Sequence, residues 1–216
     1  MSGAREEILG RIRQALGESP APDEPAPGRM APRPTPDPAQ HEELVQRFVA
    51  MTADYRAVVE RCGPGEISAH VDAALRAHHA GRVVIPAGLE REWMTRSGAD
   101  LVHDGAEVAV SELDRCDAVV TAAAVAIAET GTIVLDHTPD QGRRAVTLVP
   151  DVHVCVVRES QVVADVPGAI RLLRPAIAAH RALTWISGPS ATSDIELNRI
   201  EGVHGPRHLH VIVVAG

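Results

Sequence analysis

Eight prolines crowd residues 20–38, interspersed with Ala, Asp and Glu. Proline fixes φ and removes a backbone N–H, so this stretch favours extended conformations and cannot build a core. Any globular fold must therefore be assembled C-terminal to it. The prolines read as a tether over residues 19–40, between a leading segment (1–18) and a main domain (41–216). Within the leading segment, Ile8, Leu9, Ile12 and Leu16 share one stripe of an amphipathic helix over residues 4–16. So short a helix needs a surface to be stable, which a partner, a second subunit or its own domain could supply.

The main domain alternates between two periodicities. Helices are expected over residues 41–60, 66–79, 89–97 and 167–180, and strands over 82–86, 101–102, 117–121, 133–135, 152–157, 183–186 and 209–214. Alternating units with β-branched runs imply an α/β fold: a mostly parallel sheet with helices on both faces. Aromatic residues are only 2% of the chain, so the interior must be built from Ala, Val, Leu and Ile, with no platform for stacking bases. A net charge of −8 further excludes a nucleic-acid partner.

Cys62, Cys116 and Cys155 never form C-x-x-C, so neither an iron–sulfur cluster, a zinc knuckle nor a disulfide framework is legible. No apolar run reaches membrane-spanning length and the first residues lack an apolar signal core. A cytoplasmic protein without a redox cofactor of its own is expected, with homo-oligomer formation open.

Two segments carry chemistry. The first is Ser187-Gly188-Pro189-Ser190-Ala191-Thr192-Ser193-Asp194-Ile195-Glu196, which follows a short apolar strand. Ser193 and Glu196 have capping-box spacing, so a helix is expected to begin near Asp194 and stop at Gly202. Its N–H groups, with the hydroxyls of Ser187, Ser190 and Thr192 and the backbone of Gly188, suit a phosphate or carboxylate; a capped helix without ligand is the plainer reading. Arg207 in the following loop favours the anion, because a guanidinium grips carboxylates bidentately. His204 in the same loop is a candidate acid/base.

In the second segment, Ala122 to Ala128 reads as a small-residue turn or short helix, before Glu129-Thr130-Gly131-Thr132 and an apolar strand. Glu129 is the one ionisable group from Thr121 to Leu135; buried, it would suit acid/base or nucleophilic work, and exposed, it would serve only its own turn. Thr130, Gly131 and Thr132 are candidate ligand contacts. In open parallel sheets ligands sit beyond the carboxyl ends of the strands, where Glu129, the Ser187 turn and the His204 loop are expected.

A metal is disfavoured. His204 and His208 are separated by Gly205-Pro206, which breaks the helix that would align them. No Walker loop, G-x-G-x-x-G or nucleophile elbow is present.

Ala128-Glu129-Thr130-Gly131-Thr132, Leu148-Val149-Pro150-Asp151-Val152-His153-Val154, Gly188-Pro189-Ser190 through Asp194-Ile195-Glu196, and Gly202-Val203-His204-Gly205-Pro206 with Leu209-His210-Val211 occur in this order. Together they resemble the LUD-domain family, in its lactate utilization protein C branch. The resemblance implies a NagB/RpiA/CoA-transferase-like fold and a part in oxidising L-lactate to pyruvate, beside two partner proteins of which one carries iron–sulfur clusters. It leaves two roles open: a non-catalytic subunit binding a small anion, or an enzyme with its own acid/base or CoA-transferase-like chemistry on a small carboxylate or phosphorylated substrate.

Overall fold

The computed structural model describes Glu7, Arg11 and residues 37–193, 199–202 and 204–216. The chain forms two compact units, Met1–Pro36 and Asp37–Gly216. In the first, Glu7 and Arg11 are helical and joined by a 2.8 Å ion pair one turn apart. The rest of the expected leading helix, and the tether up to Pro36, lie outside the described residues.

The second unit opens with helix α1, Pro38–Asp54, three residues earlier than the apolar pattern predicts. The last proline of the tether explains the shift: Asp37 caps the helix through Ala39 N–H (3.3 Å), and Pro38 takes the first turn, where a missing N–H costs nothing. Val45, Phe48 and Thr52 form its buried face. The helix stops well short of residue 60, because Arg56 turns left-handed (φ 68°) and the β-branched pair Val58-Val59 enters strand β1, Val58–Cys62. Helix α2 (Ile67–Ala77) follows, then β2 (Arg82–Ile85), β3 (Asp100–His103), the short α3 (Val110–Leu113) and β4 (Ala118–Ala122). The helix expected over 89–97 is a single 3₁₀ turn, Arg91–Met94.

Six strands form a wholly parallel sheet in the order β1-β12-β7-β4-β2-β3, where β7 is Val152–Arg158 and β12 is His208–Val214. Alternation along the strands divides the core. Val154, Val156, Ile212 and Val214 pack with Ile67, Val71 and Leu75 of α2, while Cys155, Val157, Leu209, Val211 and Val213 pack with Val45 and Phe48 of α1. Covering layers on both faces are what such continuous apolar strands require.

A second sheet lies on the α1 face, in the order β8-β5-β6-β9: Val162–Val163, Val125–Ile127, Thr132–Leu135 and Thr184–Ile186. The strands at 133–135 and 183–186 are therefore not members of the parallel sheet; β6 pairs antiparallel with both β5 and β9. Residues 125–127 form a strand, correcting the expected turn or helix over 122–128. Buried Ala123, Ala126 and Ala128 pack into the α1-side core, where small side chains let the second sheet lie close to the first. Helix α4 (Val166–Ala178) is capped by the Asp165 carboxylate on Gly168 N–H and packs Ala169 and Leu173 against β5.

Candidate functional site

A pocket of about 230 Å³ opens between the end of β9 and the amino ends of β7 and β12. It is smaller than the cavities of roughly 300–1,000 Å³ that take drug-sized ligands, and so suits a metabolite of a few heavy atoms. Its position corrects the expectation that the Ser187 turn and the His204 loop lie beyond the carboxyl ends of the strands: they line it with His153 and Leu209, which face each other in register and are the second residues of their strands. The carboxyl ends of β7 and β12 border a larger groove, about 520 Å³, beside Trp93 and Arg158. There Arg158 is consumed by an ion pair with Glu90 and lies over the Trp93 ring at 5.5 Å, leaving it no free charge for a ligand.

The floor of the smaller pocket comes from segments far apart in sequence. Strand β9 empties into Ser187-Gly188-Pro189-Ser190, which passes over the end of α1. Gly188 has φ 80°, and a Cβ there would come within 2.6 Å of Tyr55 Cβ, so only glycine permits this crossing. Gly131 is in the same situation, at φ 59°, where a Cβ would come within 2.6 Å of the Met51 and Thr52 backbone, while the Thr52 hydroxyl, donating to the Phe48 carbonyl (2.7 Å), also reaches the Gly131 carbonyl (3.3 Å). Both Gly-containing turns are thus pinned to one helix end. A hydroxyl chain links them, Thr130 Oγ1 to Thr132 Oγ1 and Thr132 Oγ1 to Ser187 Oγ, each 2.8 Å.

The described ends of the segment expected to be helical, Ser193 and Arg199–Glu201, are not helical. Instead Ala191–Ser193 (β10) and Arg199–Glu201 (β11) pair as an antiparallel hairpin, with residues 194–198 outside the described residues. The ladder is extended by Gly202 N–H to Ser190 O (3.0 Å). Thr192 lies in β10. The expected helix start near Asp194 lies outside the described residues. Ser190 serves as a clasp: its N–H donates to Pro206 O (2.8 Å), and its Oγ accepts from His204 N–H (3.1 Å).

Among the expected site residues, Ser187, Gly188, Ser190 and His204 line the pocket, and Thr132 supports it through Ser187. Glu129 does not line it; it is exposed in the turn between β5 and β6, its N–H bonded to Ala164 O (3.1 Å). Arg207 also points elsewhere, exposed and 3.4 Å from Asp151.

The guanidinium that does line the pocket is Arg144, in the 3₁₀ turn Arg144–Thr147, and sequence reasoning missed it. The doublet Arg143-Arg144 gave the only signal. Arg143 is spent on Asp104 Oδ1 (2.7 Å) and the Val108 carbonyl, whereas Arg144 donates to Thr147 Oγ1 (3.1 Å) and, among the described residues, meets no carboxylate. Burial pulls its pKa below the ordinary guanidinium value, though far too little to discharge it. Beside it, fully buried His153 has its Nε2 2.7 Å from Thr121 Oγ1. Burial first, and the Arg144 charge second, push His153 down to about 4, so the ring is neutral at physiological pH.

The other groups weighed for metal chemistry do not converge. His208 and His210 share the opposite face of β12, His210 Nε2 lying 2.5 Å from Glu60 and His208 stacking on His78 at 5.1 Å. Among the described residues no three His, Cys, Asp or Glu groups are placed to hold a metal ion. Cys62, Cys116 and Cys155 are free, buried and in three different parts of the core, which does not fit a cluster site. No helix among the described residues is long and apolar enough to cross a membrane.

The model of the LUD domain matches residues 38–214. Lactate utilization protein C of Deinococcus radiodurans is 45% identical over 211 residues, covering 98% of this chain and 95% of its own. The protein of the same description from Bacillus subtilis is 31% identical over 116 residues, covering 52% of this chain and 48% of its own. A crystal structure of a DUF162 family protein from Deinococcus radiodurans superposes with a TM-score of 0.71 at 43% identity, covering 81% of this chain and 98% of that one. Family match, near full-length identity and shared fold agree with the ordered motifs around the pocket, and the chain belongs to the LUD-domain family, in its lactate utilization protein C branch.

Proposed function

We propose that this protein serves L-lactate utilization as the subunit that binds a small carboxylate, beside partner proteins whose iron–sulfur clusters carry the electrons. The relative that matches nearly the whole chain is described as a lactate utilization protein, which supports the pathway. The single observation that supports the binding role is Arg144: a partly buried guanidinium with no counter-charge among the described residues, facing a metabolite-sized pocket ringed by hydroxyls. Oxidising lactate to pyruvate releases two electrons and two protons, and three scattered buried thiols offer no place for the electrons.

Arg144→Ala should weaken binding of L-lactate by about ten- to a hundred-fold, the equivalent of one charge-assisted contact of about 1.5–3 kcal/mol, in calorimetric titration. Arg207→Ala, altering an exposed side chain outside the pocket, should change it much less. A strain carrying Arg144→Ala should grow poorly on L-lactate and normally on pyruvate. Equal affinity of wild type and Arg144→Ala for every small carboxylate would rule the reading out.

A second reading, an enzyme with its own acid/base chemistry on a small carboxylate, is favoured by one observation: two imidazoles, His153 and His204, line the same pocket. Turnover by the isolated chain, without partners, would decide for it.

A further inference from the structure

His153 is wired to a chain of donors that ends inside the sheet. Cys155 Sγ donates to the Ala122 carbonyl (3.8 Å), and Thr121 Oγ1 donates to Cys155 Sγ (3.7 Å). Burial pushes the Cys155 thiol up to about 12, so its proton is retained and the direction of the chain is fixed at that end. With its single proton turned to sulfur, the Thr121 hydroxyl accepts from His153 Nε2–H across 2.7 Å. That order makes three hydrogen bonds, whereas the reverse order, with Thr121 donating to the ring, leaves the sulfur unbonded by threonine.

A neutral imidazole carrying its proton on Nε2 has a bare lone pair on Nδ1. Among the described residues no protein donor reaches Nδ1, and His153 lines the pocket next to the Arg144 guanidinium. The Arg144 charge acts on the same ring and opposes its taking up a second proton, so the lone pair is retained.

Resting on the carboxylate reading above, we infer that the pocket selects 2-hydroxy carboxylates over 2-oxo and unsubstituted ones, the carboxylate on Arg144 and the hydroxyl donating to His153 Nδ1. Lactate has a donor there. Pyruvate presents a second acceptor, setting two lone pairs against each other, and propionate presents a methylene that leaves Nδ1 unpaired. A site built around a polar contact rejects analogues lacking it more strongly than an apolar pocket rejects a missing methylene. Thr121 and Cys155 do not touch the ligand; they are positioning residues that fix the tautomer.

The test is calorimetric titration of the full chain with L-lactate, pyruvate and propionate, together with ¹⁵N NMR of the histidine rings. L-Lactate should bind at least about ten-fold tighter than the other two, and His153 should show the Nε2–H tautomer. Thr121→Val keeps the ring and removes the acceptor of Nε2–H: it should shift the tautomer signature and narrow the lactate preference, while affinity for propionate stays unchanged. His153→Leu should abolish the preference and retain carboxylate binding. Equal affinities for the three ligands in wild type, or an Nδ1–H tautomer, would overturn the inference and leave the carboxylate reading standing. Failure of all three to bind would overturn both.

Discussion

Arg144 is held near its pocket without a counter-charge among the described residues, and a partly desolvated guanidinium facing no carboxylate costs the fold free energy. Arg144→Ala should therefore leave the melting temperature unchanged or raise it while binding is lost; a fall of several degrees would mark a structural residue. Gly131 behaves oppositely. At its positive φ a methyl group would come within 2.6 Å of the α1 backbone, and the atoms in the way cannot rotate aside. Gly131→Ala should cost at least about 2 kcal/mol in chemical denaturation, combining left-handed strain with overpacking. Since Thr132 carries Ser187, the same substitution should also weaken ligand binding. A variant as stable as wild type would show that α1 does not lean on this turn.

At the scale of elements, α1 is the part on which both Gly-containing turns rest. Phe48, fully buried, joins it to the odd-numbered residues of β12 and to β6. Phe48→Ala should destabilise the domain by about 3–5 kcal/mol in urea unfolding, a large share of what a domain this size holds. Five of the six strands of the main sheet were legible because β-branched runs such as residues 209–214 leave few alternatives; β1 was not, since Val58-Val59-Glu60 was read as the end of the helix expected over 41–60. The second sheet was not: residues 122–128 are mostly alanine, weak in strand preference, and become β5 only because β6 and β8 flank them. The pairing of residues 191–193 with 199–201 was hidden by the capping-box spacing of Ser193 and Glu196, which reads as a helix start. Within the site, the Ser187, Ser190 and His204 segments announced themselves through turn chemistry, but Arg143 and Arg144 are identical in sequence terms. Only the position of Asp104, folded against one of them, frees the other.

At the scale of the whole molecule, several buried groups couple stability to pH in one direction. The folded chain keeps His153 neutral down to about pH 4, while the unfolded chain takes up that proton near its ordinary value of 6.5. Between those limits the unfolded state binds more protons, so stability that is complete above about pH 6.5 falls as pH falls. Burial, with His208, His210 and His79 nearby, lowers His78 likewise. For Glu60, burial raises the pKa, but the bonds to His210 and His70 outweigh it and hold the carboxylate low, again favouring the fold at higher pH. Denaturation at pH 7.5 and pH 5 should differ by on the order of 2 kcal/mol, and His153→Leu should flatten part of that slope. Equal stability at both values would show that His153 titrates normally. The order of strands bears on how the protein is made. β12 sits between β1 and β7, yet it is synthesised after every other strand of the domain. Until it leaves the ribosome, β1 has no neighbour and β7 keeps an open edge, both exposing a hydrogen-bonding row that other nascent chains can pair with. Completion of the sheet is thus a single late event, and a ribosome stalled before residue 208 holds two unsealed edges where the finished protein has an interior strand.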